Sequence, residues 1–94
     1  MQIGVLSFQI LLSDSRSLKS KRSAIKPLLH YLQNHFNVSA AEMGFYESWD
    51  QSLVACVIVG NERHFLESTL QSLFNDIETR FRNLQFLDVK IEFW

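Results

Sequence analysis

Arg16, Lys19, Lys21, Arg22 and Lys26 fall within eleven residues, and no acid occurs anywhere from Ser15 to Ala41. Guanidinium and ammonium groups crowded this closely are suited to anions, whether the phosphates of a nucleic acid or the carboxylates of an acidic partner. The segment carries +5, while ten acids against four remaining cations leave the rest of the 94-residue chain at −6. A formal net charge of −1 thus hides a strong internal separation of charge.

On a helical wheel Lys19, Arg22 and Lys26 lie within about 60° of one another, a ridge roughly 10 Å long that is able to meet adjacent phosphates. The competing reading is a solvated polar face, which most charge runs on helices are. Cations in a first turn oppose the helix dipole, each at a cost of a few tenths to about 1 kcal/mol. No Asp or Glu stands four residues away to offset them, which favours a functional reason for their presence. Lys21 has the phase of a core position, so it must either overhang the end of the sheet or be rotated by a kink. With Arg16 and the free amides of the first turn, Lys21 is expected to help form an anion pocket at the helix N-terminus.

Other chemistry is sparse. His30 and His35 are five apart on different helix faces, His64 opens a second helix, and no Cys or paired acid joins them at ligand spacing, so no metal site is expected. Cys56 lies inside the apolar run Leu53 to Val59, where a thiol acts as a small buried hydrophobe. A single Cys forms no internal disulfide, which points to a reducing, cytoplasmic compartment. Nothing marks an activated Ser or a Cys/His pair, so no catalytic residue and no cofactor are expected. Trp49 stands in a loop, where it can stack on a base, pack on a partner or fold back on the sheet. Packing is favoured, because a small domain needs aromatic burial.

These side chains must be positioned by a single domain, 1–94: 47% apolar residues, eight Phe, one Pro and three Gly leave no linker, repeat or low-complexity stretch. The chain starts without a cationic leader, and Gln9 and Ser13 interrupt the first apolar stretch well short of the roughly 20 residues of a membrane span. Residues 2 to 12 alternate Leu6, Phe8, Ile10 and Leu12 against Ser7 and Gln9, the period of a strand with an even core face. Ser17 is the expected N-cap of a first helix whose stripe is Leu18, Ile25, Leu28, Leu29, Leu32 and Phe36. Pro27 inside it removes the donor to the Ser23 carbonyl and predicts a bend or a restart.

Asn37 to Phe45 and Gln51 to Val59 read as two strands joined by Tyr46–Asp50. Asn61 is the expected cap of a second helix with the stripe Leu66, Leu70, Leu73, Ile77 and Phe81. Gln85 to Trp94 then alternates Leu87, Val89, Ile91 and Phe93 against Asp88, Lys90 and Glu92. The order βαββαβ predicts an α+β, ferredoxin-like domain: a four-stranded antiparallel sheet with both helices on one face. The third strand is apolar on both sides, so its open face predicts a dimer or partner interface unless Trp49 or Trp94 shields it.

Gly4-Val5-Leu6, the block Arg16-Ser17-Leu18-Lys19-Ser20-Lys21-Arg22, Phe36-Asn37-Val38-Ser39 with Ala41-Glu42, and Trp49 together resemble the bacterial YlxP-like family, a domain of unknown function. The resemblance spans most of the chain and implies a ferredoxin-like fold. It also implies RNA or ribosome association, because members commonly lie in gene neighbourhoods with translation and ribosome-maturation factors. Ser7 and Gln9 stand where the family often has acids, and Gly44 and Phe45 where it often has polar residues; the basic block is intact.

Three expectations follow. The first is a non-catalytic RNA-contacting or ribosome-associated domain using Arg16, Lys19, Lys21, Arg22 and Lys26 on phosphates. It is not a module that stacks bases on its central strands, which offer Ser7, Gln9, Leu, Ala, Val and Cys there. The second is a homodimer or protein-interaction module built on the open sheet face. The third is an acylphosphatase-like enzyme with Arg16 and Asn37, disfavoured because Ser13 to Ser17 holds no Gly to let amides converge on a phosphate.

Overall fold

The computed structural model describes residues 1–94, in the order β1 (Gln2–Leu11), α1 (Leu18–His35), β2 (Ser39–Gly44), β3 (Gln51–Gly60), α2 (Arg63–Arg80) and β4 (Gln85–Phe93). The strands form one antiparallel sheet in the order β2-β3-β1-β4. This is the ferredoxin-like α+β arrangement expected from the element order. The helices cover the face carrying Leu6, Phe8, Ile10, Val54 and Cys56, all fully buried, with Leu28 and Leu32 of α1 and Leu70, Leu73 and Ile77 of α2 against them. Alternation in β1 sets this face: each even residue from Gly4 to Leu12 is buried and each odd one only partly so. α1 lies toward β2, and α2 lies over β1, β3 and β4.

Gly4 permits the close approach of α2. A Cβ there would sit 3.0 Å from Leu70 Cδ1 and 3.2 Å from Ile58 Cγ2, so these side chains would have to give by a few tenths of an ångström.

Three details differ from the sequence expectations. Helix α1 continues without a break on both sides of Pro27, so it does not restart. Ser23 and Pro27 both face solvent, where water can satisfy the carbonyl that the proline leaves without a donor. The N-cap of α2 is Glu62, without a side-chain capping bond, and Asn61 precedes it as an exposed bend residue. In β4 the simple alternation fails. Phe86, not Leu87, faces the core, packing edge-on to Phe8 at 5.4 Å and to Phe74 at 5.6 Å. A bulge opposite Ser7 to Gln9, with Asp88 in the left-handed region at φ 50°, then shifts the phase so that Ile91 and Phe93 return to the core. Val89 is left 42% exposed.

The other sheet face carries no helix. Val57 and Val59 are exposed on it, alongside the half-buried Val5, Leu53 and Ala55. Trp49 and Trp94 are 53% and 75% exposed.

Candidate nucleic-acid interface

The first turn of α1 is set by serines. Ser17, the N-cap, accepts from the Ser20 amide at 3.1 Å, and Ser20 Oγ accepts from the amides of Ser17 and Arg16 at 3.2 and 3.0 Å. This is a capping box with Ser in the place usually held by Glu or Gln. It brings no negative charge to a helix end with no acid in its first turn. Of the first-turn amides it takes only that of Ser20, leaving those of Leu18 and Lys19 without a protein acceptor.

Lys21 takes no part in the anion pocket expected at this N-terminus. Its side chain is buried, and Nζ donates to the carbonyl oxygens of Phe45 at 2.8 Å and Gln51 at 3.1 Å. Nζ also lies 3.2 Å from Glu42 Oε2, which accepts from Ser52 Oγ at 2.6 Å. An ammonium has three protons, and these three oxygens engage them. The core phase of Lys21 therefore reflects true burial: the cation ties α1 to the β2–β3 connection. That connection turns at Phe45, a bulky residue in the left-handed region at φ 59°, and the bond from Lys21 to its carbonyl holds the turn. Lys21 is thus a correction to the set of anion-contacting residues, because every donor it has is committed inside the fold.

The other four cations remain outside. Arg16, Lys19, Arg22 and Lys26 are all exposed, and none pairs with an acid; the ion pairs of the molecule are Lys21–Glu42 and Arg80–Asp76. Arg22 and Lys26 flank a groove of about 330 Å³ between α1 and β2. Ile25 and Leu29 provide its apolar lining and His30 and Gln33 its polar end, with the Lys21–Glu42 pair beneath. Gln33 Nε2 donates to the Ala40 carbonyl at 2.9 Å, joining the helix to the outer strand.

Arg16 and Asn37 do not come together. They flank the 18 residues of α1 at opposite ends, about 27 Å apart at 1.5 Å per residue, and Asn37 lies before β2 begins. The phosphate cradle of an acylphosphatase is therefore not assembled. The histidines stay separate: His30 lines the groove, His64 is exposed in α2, and His35 stacks on Tyr31 at 4.1 Å. No three His, Cys, Asp or Glu side chains gather as metal ligands.

One constellation escaped the sequence reading. Tyr31 of α1 donates a short hydrogen bond to Asp76 of α2, and Arg80 stacks over the Tyr31 ring at 4.4 Å while pairing with Asp76 at 3.7 Å. The bond to Asp76 holds the phenol above its ordinary value, with desolvation adding to it, so Tyr31 is a poor nucleophile at neutral pH and the cluster is a clasp between helices. Only the Asp76–Arg80 spacing of four was visible beforehand; its partner lies 45 residues away.

Residues 3–91 match the family described as protein of unknown function (DUF503). The chain is 32% identical over 77 residues to the uncharacterized protein YlxP of Bacillus subtilis (strain 168), covering 82% of this chain and 84% of that one. The de novo designed protein Foldit4 superposes with a TM-score of 0.54 over 100% of this chain and 97% of its own, at 12% identity, a likeness of fold alone. With both the family match and the YlxP relative spanning most of its length, the chain belongs to the YlxP-like family of proteins of unknown function.

Proposed function

We propose that this domain is a non-catalytic RNA-contacting module whose basic face on α1 and its leading turn meets the phosphate backbone. One observation carries the reading: four cations stand exposed on and just ahead of one helix without an acid partner, in a chain whose other residues sum to −5. Unpaired charges facing the helix dipole cost stability, and a polyanion would repay that cost through counterion release. Contacts of this kind position a backbone and read little sequence. Binding to a ribosomal RNA fragment should shift the amide resonances of residues 16 to 30 and leave those of β3 unchanged. Shifts confined to β3 and β1 would contradict the assignment.

A second reading rests on the open sheet face, where Val57 and Val59 are 37% and 62% exposed beside Val5 and Leu53. Two copies meeting through that face would bury this strip. Sedimentation would then show concentration-dependent mass that is insensitive to salt. The two readings are compatible, since they use different sides of the molecule.

A further inference from the structure

We infer that the groove between α1 and β2 receives a single unpaired nucleotide of a bound RNA strand; this rests on the RNA reading above and adds to it the form of RNA recognised. The groove, about 330 Å³, lies at the lower end of the roughly 300 to 1,000 Å³ typical of small-ligand clefts. Its lining is divided by chemistry. Arg22 and Lys26 offer two charges with no acid to neutralise them, because Glu42, the one acid in the lining, is held by Lys21. Leu29 and the edge of the otherwise buried Ile25 offer an apolar surface on the same helix, and His30 and Gln33 stand one and two turns beyond Lys26. A phosphate seats on the cations, the face of the base lies on the aliphatic side chains, and its polar edge meets Gln33 and His30. Gln33 has committed Nε2 to the Ala40 carbonyl, which fixes the amide and leaves its own carbonyl oxygen free to accept. Tyr46, outside the lining, is 57% exposed, with its hydroxyl donating to the Glu42 carbonyl at 3.4 Å.

The recess selects against paired RNA. Phosphates of a duplex can reach the cations, but stacked and paired bases cannot enter a cleft between a helix and a strand. An acidic peptide adding to β2 as a strand is the competing occupant, and β2 is poorly prepared for it. The Ala40 and Glu42 carbonyls already accept from Gln33 and Tyr46, so an added strand would compete with side chains for them.

The test is a titration of the methyl-labelled protein with a short mixed-sequence single-stranded RNA, the same sequence as a duplex, a nucleoside monophosphate and an acidic peptide. The expected result is that the single strand moves the Ile25 and Leu29 methyl resonances and binds roughly tenfold more tightly than the duplex. His30→Glu, a change at an exposed side chain, should weaken the single strand by roughly tenfold. Equal affinity for both RNAs with unmoved methyls would overturn the groove and leave the basic face standing. Methyl shifts with the monophosphate or the peptide alone, and no RNA binding, would overturn both readings. No binding of any ligand would do the same.

Discussion

Lys21 and its four neighbouring cations look alike in the sequence and are opposite in placement, one buried and four exposed. Burying an ammonium is costly, and it is tolerated here because one carboxylate and two carbonyls take its protons. Lys21→Met would leave Glu42 without its counter-charge and the Phe45 turn without its bond. Breaking a buried pair costs about 3 to 5 kcal/mol. Glu42 is 23% exposed and can draw on water, so a loss of about 2 to 4 kcal/mol is expected in denaturant unfolding. RNA affinity of the folded fraction should fall only through the freed Glu42 carboxylate beside Arg22 and Lys26, so Lys21→Met/Glu42→Gln should bind as the wild type does, which separates Lys21 from Arg22. Cys56 gives a second test. Burial pushes its thiol from 9.0 up to about 12, so above pH 9 the unfolded chain loses a proton that the folded one keeps. The stability conferred by the buried thiol is whole below pH 9 and is lost as pH rises toward 12. The stability advantage of the wild type over Cys56→Ala should therefore shrink across that window, and a constant difference would contradict the assignment.

The elements were legible where one period ran unbroken, as in β1, α1 and α2. They were misread where a local device intervened. In β4 the bulge at Asp88 moves the core from Phe86 to Ile91 and Phe93, a shift that depends on pairing with β1 and has no signature in a run of alternating residues. Asn61 has the chemistry of a cap, but the helix begins one residue too late for it to serve. Pro27 was expected to bend α1 or make it restart; the helix runs through without restarting, and the carbonyl that loses its donor faces water. Proline in a helix interior is about 3 kcal/mol worse than alanine, offset by about 0.4 to 1 kcal/mol through its restriction of the unfolded chain. Pro27→Ala should accordingly stabilise the domain by about 2 kcal/mol, with a matching rise in denaturation midpoint. A destabilised variant would show that α1 has adapted its packing to the proline.

Across the whole molecule, the charge separation was readable from composition because it requires no knowledge of the fold. Its sorting into one internal cation and four external ones was not, because that depends on the Phe45 turn and on Glu42, both supplied by a distant hairpin. The groove was invisible for the same reason: Glu42 comes from β2 and the rest of its lining from α1. Two faces result, a basic one on α1 and an apolar one on the open sheet, and they make different demands on salt. The decisive measurement is RNA binding by fluorescence anisotropy over a salt series, with wild type beside Lys19→Ala/Arg22→Ala/Lys26→Ala. Each phosphate contact contributes about 0.7 to 0.9 to the slope of log affinity against log salt, so losing three should flatten it by about 2 to 3. A triple variant that remains folded and keeps the wild-type slope, or a wild type that binds no RNA at low salt, would contradict the proposed role of the basic face.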